Sequence, residues 1–259
     1  MSNYKLGLKS VHDPRYAQYE RLVIDEKTLP VTLPASVDYS YAYPAVSNQN
    51  ALGVCTAFGS RSIFEFYRGK REHVESLVSA RAIFSQARSE YDPGDLQDTG
   101  LNVSDVLNVL EQFYVNESDF LSTQNESESD FPLWLELPPT AIHKTDFVVK
   151  QFVTVNPIVN DMRKALYKNG PLLIGLNWAN EWFGAGSDGR LATPQSLAGG
   201  HCVNITGYND GFVNLDGSKG AFKIMNSWGT GWADQGYCYL PYNVNGTDYF
   251  PTDIFTVKA

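Results

Sequence analysis

A chain of 259 residues with 43% apolar and 19% charged side chains can bury a full apolar core without covalent staples, and its 21 glycines and 13 prolines exclude a fibrous or wholly disordered polymer. Twenty basic against twenty-nine acidic residues leave a net charge of −9, a field that repels phosphate backbones and argues against nucleic acid as a partner. The start, Met1 to Lys9, has no apolar core of a secretory signal, and the longest mainly apolar run, Pro171 to Ala179, is interrupted by Asn177. The chain therefore reads as cytoplasmic, with no membrane partner. Three cysteines, Cys55, Cys202 and Cys238, cannot all pair and read as free thiols of a reducing compartment. In that setting the Asn-x-Ser/Thr triplets at Asn102, Asn116, Asn125, Asn204 and Asn245 are coincidental.

Residues 1–32 are polar and broken by Asp13-Pro14-Arg15 and Leu29-Pro30, which predicts an irregular N-terminal arm or short pro-segment. Gly53 to Arg71 carries apolar residues on several faces and predicts a helix buried on most sides; Ser79 to Tyr91 predicts a second. Ser104 is placed to cap a third, with Val106, Leu107, Leu110, Phe113 and Tyr114 on one stripe. Asn116 to Asp130 reads as a solvated loop. Beyond Thr145 the pattern changes to short β-branched and aromatic runs: Phe147 to Val155, Leu172 to Leu176, His201 to Tyr208, Ala221 to Met225, Gly236 to Leu240 and Asp253 to Val257. One helix interrupts them, with Asn156 as cap, Pro157 as first residue and Asn169-Gly170-Pro171 as stop. Helices followed by strands give an α+β chain, read as two lobes sharing a cleft.

Three polar positions stand out. Cys55, in Gly53-Val-Cys55-Thr-Ala, sits at a helix start, where free N–H groups and the dipole favour a thiolate; the alternative is a small buried hydrophobe. His201, in Ala198-Gly-Gly-His201-Cys202-Val, follows two residues without side chains, so its ring is accessible as a base toward a thiol, or is a strand-edge histidine satisfied by a carbonyl. Asn226 opens Asn226-Ser-Trp228-Gly-Thr-Gly-Trp232, where an amide oxygen can fix a histidine tautomer and Trp228 can either shield that bond or simply pack in the core.

Taken together these segments resemble the papain-like cysteine peptidases. Gln49 precedes Cys55 by six residues, His201 follows it by 146, Gly-Gly-His-Cys-Val is similar to the family's histidine strand, and Asn-Ser-Trp-Gly-Thr-Gly-Trp to its asparagine signature. Leu33-Pro-Ala-Ser-Val-Asp-Tyr39 looks like the start of the mature domain, so the resemblance covers residues 33–259. It implies a helical L-lobe and an antiparallel, barrel-like R-lobe, with a polypeptide substrate lying between them. In that scheme Cys55 is the nucleophile, His201 base and acid, Asn226 its orienter and Gln49 an oxyanion donor. Gly200 and Cys202, with Trp228, line the substrate cleft. The resemblance further implies a pocket floor from a residue near the C-terminus, for which Asp248 is a candidate.

Two positions depart from the family pattern: Leu52 stands where many secreted relatives have a disulfide cysteine, and Thr56 where an aromatic residue follows the nucleophile. A ligase or transpeptidase using the same acyl-enzyme, or a non-catalytic peptide-binding relative, are the alternatives.

Other patterns carry less. Gly184-Ala-Gly186-Ser-Asp-Gly189 matches a dinucleotide fingerprint but lacks the strand and helix around it. His201-Cys202 with Cys238 lacks zinc spacing, and Asn209-Asp210-Gly211 and Asp216-Gly217 read as turns that end strands rather than calcium loops. No metal or organic cofactor is implied.

Overall fold

The computed structural model describes the chain apart from residues 1–3, 73–76, 121–126, 139–142, 145–150, 245–247 and 259. After the arm, which has only short 3-10 turns at Pro14–Gln18 and Glu26–Thr28, come β1 (Ser36–Asp38), α1 (Cys55–Glu72), α2 (Ala80–Tyr91) and α3 (Val103–Leu110). Then follow β2 (Phe113–Tyr114), β3 (His143–Lys144), β4 (Phe152–Thr154), α4 (Val159–Lys168), β5 (Leu172–Ala179) and β6 (Leu197–Val213). The chain ends with β7 (Lys219–Met225), β8 (Tyr237–Pro241) and β9 (Asp253–Val257). No helix among the described residues is long and apolar enough to cross a membrane.

The helices and strands segregate as their patterns predict. One apolar cluster is built by α1, α2 and α3 around Phe58, Phe64, Phe84 and Trp134; a second lies within the sheet around Trp178, Trp182, Phe222 and Trp228. The sheet runs β4-β9-β5-β6-β7-β8, with β1 added to β6, and every pairing is antiparallel. Alpha-1 is buried on several sides because it lies between the clusters, with Phe66 and Tyr67 facing other contacts than Phe58 and Phe64.

Local chemistry moved several boundaries. Ser79 caps α2 through its side chain, as its position predicts. Alpha-3 begins two residues early in the polar run: Asn102 rather than Ser104 is the cap, with Asp105 accepting the Asn102 N–H, and Ser104 is turned to Asp13 of the arm. The helix also stops at Leu110, and Phe113 and Tyr114 leave it to pair with β3. Pro157 lies before α4 instead of opening it; Ile158 is the cap and Asn156 reaches Asp161. Asn209-Asp210-Gly211 do not end a strand, since β6 continues to Val213 past a bulge, and the turn falls at Gly217 with φ of 80°. Part of the Asn116 to Asp130 segment and Phe147 lie outside the described residues, and Glu128–Leu135 forms 3-10 turns.

Phe84 is fully buried on α2, with its ring centroid 5.9 Å from those of both Phe131 and Trp134. Phe84→Ala leaves a cavity that the two rings cannot close, and is expected to cost about 3–5 kcal/mol in urea denaturation. A loss under about 1 kcal/mol would show that the helical cluster is not close-packed there.

Candidate active site

The site forms where α1 meets β6 and β7. Cys55 is the first residue of α1 and His201 sits in β6, directly opposite Leu176 of β5. The imidazole Nε2 lies 2.8 Å from Asn226 Oδ1. Because that amide oxygen also accepts the Ser227 N–H at 2.8 Å, it is held as an acceptor and Nε2 carries the proton. Nδ1 is thereby left as a lone pair, and it has no hydrogen-bond partner among the described residues. Trp228 stacks on the ring at 4.9 Å and Trp178 meets it edge-on at 4.9 Å, so the His201–Asn226 bond lies in a dry, aromatic setting.

Gln49, fully buried, is fixed by Ser227, whose hydroxyl donates to Oε1 at 2.5 Å. Its Nε2 donates to the Leu52 carbonyl at 2.6 Å and to the Lys5 carbonyl at 3.0 Å. The second acceptor belongs to the arm, which runs through the cleft. Tyr4 stacks on Trp228 at 4.6 Å, the Leu8 N–H bonds the Gly200 carbonyl at 3.2 Å, and the Leu101 N–H bonds the Gly7 carbonyl at 3.0 Å. Gly7 passes so close that a Cβ there would lie 1.9 Å from the Gly53 carbonyl oxygen. Its partner across the gap, Gly100, has φ of 75° and would itself strike the Gly7 carbonyl.

With the arm seated, Cys55 and His201 are both fully buried. This overturns the sequence expectation of a lowered thiol pKa. Burial pushes the Cys55 thiol up to about 12, although the amides of Cys202, Gly7, Thr56 and Cys55 favour the thiolate. A helix end contributes at most about 2 kcal/mol, less than the several kcal/mol that desolvating an unpaired charge costs. Burial likewise lowers His201 to about 4 against the opposing Asn226 bond. The covered pair is a neutral thiol and a neutral imidazole.

The apolar side chain of Leu8 marks a pocket. Its Cδ2 lies 3.0 Å from where a Gly175 Cβ would stand, and Gly175 pairs with Cys202 on one side and Asp253 on the other, so these three positions form one row across β6, β5 and β9. Gly200 meets Leu8 through its backbone, while Cys202 is buried with its sulfur against Gly59 of α1. The carboxylate near the pocket is that of Asp253, not Asp248. Asp248 is exposed and lines a separate cavity with Leu191, Asn214 and Tyr249.

Sequence reasoning missed Ser227, Trp178, Gly175 and Asp253 as members of this region, and gave no residue of the arm a place in it. Ser227 lay inside the quoted motif; the other three carry no local signal, because only strand register brings them together.

A cysteine at the start of the central helix and a strand histidine held by an asparagine are the residue types that a thiol-dependent hydrolase requires. The family model described as "Papain family cysteine protease" matches residues 33–250, and the chain belongs to that family. It is similar to cysteine proteinase 3 of Entamoeba histolytica, 25% identical over 82% of this chain and 64% of that protein, and to cathepsin L of Sarcophaga peregrina, 25% identical over 94% and 75%. Among solved structures, xylellain, a cysteine protease from Xylella fastidiosa, superposes with a TM-score of 0.80 at 22% identity, covering 100% of this chain and 96% of that one. A digestive procathepsin L2 of Tenebrio molitor gives 0.74 at 19%, covering 99% and 79%. These structural likenesses bear on the fold alone.

Gly7→Ala forces the arm away from Gly53 and so readmits water to the site. In that variant Cys55 is expected to alkylate near pH 6 much faster than Cys202 or Cys238 and much faster than Cys55 of the unaltered chain, as read by peptide mass mapping. Equal labelling of the three thiols in Gly7→Ala would overturn the reading of Cys55 as an activated nucleophile.

Proposed function

We propose that this chain is an endopeptidase in which Cys55 attacks the scissile carbonyl and His201 takes the thiol proton at Nδ1. The histidine then returns that proton to the departing amine, and water hydrolyses the thioester by the same route in reverse. The observation that carries this reading is the His201 Nε2 to Asn226 Oδ1 bond at 2.8 Å, which directs the ring's only lone pair away from Asn226. The Gln49 Nε2 and the Cys55 N–H are the oxyanion donors, and Ser227 holds Gln49 in place. Trp228 and Gly200 line the cleft on either side of the reacting bond. Three free, buried cysteines support residence in a reducing compartment such as the cytoplasm.

The arm, in this reading, is a built-in blockade. Lys5 gives its carbonyl to Gln49, and Leu8, three residues later, fills the pocket beside Gly200. A substrate places in that pocket a residue that precedes the reacting carbonyl. The arm therefore runs against the substrate direction, which accounts for a peptide lying on the nucleophile without being cut.

Gln49→Ala, measured in the Gly7→Ala background so that the cleft is open, is expected to lower kcat by roughly 10²- to 10³-fold with little change in KM. An unchanged kcat would remove Gln49 from the oxyanion site. In the same background a positional peptide library at pH 6 is expected to favour Leu, Val or Phe at the second residue before the cut, since an apolar side chain gains about 1.5 to 3 kcal/mol there. Dominant Arg or Lys at pH 6 would refute the apolar pocket.

A further inference from the structure

Asp253 has no part in the chemistry above, yet it is a carboxyl only 4% exposed, set in register beside Gly175 under the Leu8 side chain. Its Oδ2 accepts the Asp13 N–H of the arm at 3.3 Å. Just beyond it the Thr252 hydroxyl donates to the Val11 carbonyl at 2.5 Å, so the arm is stitched to β9 at this point. Among the described residues, the charged and titratable groups that face Asp253 include no free cation. On the arm these are Asp13 and Tyr16, and on β6 it is Cys202. The guanidinium beside Asp13, that of Arg15, is committed to Asp13 at 2.9 Å and to Asp105 of α3 at 2.6 Å. Asp13 is held ionised: burial opposes this, but its bonds from Arg15 and Ser104 prevail and keep its carboxyl below the usual range. Asp253 thus confronts an anion across a dry contact, with one amide N–H as its compensation.

We propose that Asp253 is a proton-operated latch on the arm: while its carboxyl is protonated the arm stays seated, and ionisation drives the arm out, so that the cleft opens as pH rises from acid toward neutral. This rests on the reading of the arm as a blockade. The proton passes to solvent, and the ionised carboxylate gains in the open state the hydration that Leu8 and Asp13 deny it. Burial under the arm, reinforced by the Asp13 charge, raises the carboxyl to about 7 in the closed state. The open state, with an ordinary carboxyl near 3.9, binds fewer protons between those values. Closure is therefore strongest at low pH and weakens about tenfold per pH unit until about pH 7, where it levels off.

The test is hydrogen exchange of residues 4–11, corrected for its intrinsic pH dependence, in the full chain carrying His201→Gln, which prevents self-cleavage and removes the other group whose burial under the arm shifts its titration into this range. From pH 5 to 7 the corrected exchange is expected to rise about fiftyfold, and to change less than about threefold when Asp253→Asn, a neutral isostere that still accepts the Asp13 N–H, is added. Asp253→Ser serves as the second neutral variant should the first fold poorly. Exchange that stays flat or slows with pH, or an equal rise in the neutral variants, overturns the latch. Hydrolysis of a short peptide by the active chain, taken relative to Gly7→Ala at each pH, separates the two readings. If exchange rises while that ratio stays constant, the arm is latched but does not block. If the ratio stays low at every pH while exchange is flat, the arm blocks but Asp253 does not control it.

Discussion

The hydrogen bond between His201 and Asn226 is the constraint to which the rest of the molecule is fitted. A neutral imidazole has one donor and one acceptor, and which nitrogen is which depends on what the other one meets. Here β6 supplies one partner and the segment just after β7 the other, Ser227 pins the amide by its own N–H, and Trp178 and Trp228 keep water from competing. The sheet's second apolar cluster is, in this light, the packing that makes one tautomer unavoidable. The same Ser227 holds Gln49 with its hydroxyl, so a single residue between Asn226 and Trp228 fixes both Asn226 and Gln49.

Desolvation sets the state of the covered site. A thiolate and an imidazolium side by side offset each other's charge, but each needs some solvent or dipole to be formed, and the arm removes both kinds of support except for a few backbone amides. Glycine permits this closeness. Gly7, Gly53 and Gly100 approach one another at distances where no side chain fits, so the arm lies on the nucleophile by backbone alone and presents its side chains, Tyr4 and Leu8, to either flank.

Much of this was legible in the sequence where information is local. The buried character of α1, the β9 boundaries and the offsets joining Gln49, Cys55, His201 and Asn226 all arise from neighbouring residues or fixed spacings, and residue pattern separated the helical and strand halves. What was not legible depends on distant pairing. Asn102 displaced Ser104 as a cap because Asp13, ninety-one positions from Ser104, claimed that hydroxyl. Phe113 and Tyr114 left their helical stripe to join a strand that carries no strong pattern of its own. Asp248 was the candidate for the pocket floor, but β9 pairs with β5 in a register that places Asp253 beside Gly175. The thiol was read from its helix position, which is correct for the dipole and silent about a cover supplied from fifty residues upstream.

The arm is two devices in one stretch of chain. Its first part, Tyr4 to Val11, lies on the cleft and is held by contacts that a substrate would replace. Its second part belongs to the foundation: Tyr16 and Tyr19 meet Phe255 edge-on at 5.1 and 5.0 Å, the Tyr16 hydroxyl lies within bonding distance of the Val155 and Ile254 carbonyls, and Glu20 and Leu22 exchange backbone bonds with Thr154. Stripping away that second part strands Phe255 and the β4–β9 edge in water. In the proposed reading the chain carries a hinged cover with its hinge plate built into the wall, and the cover can swing while the plate must remain.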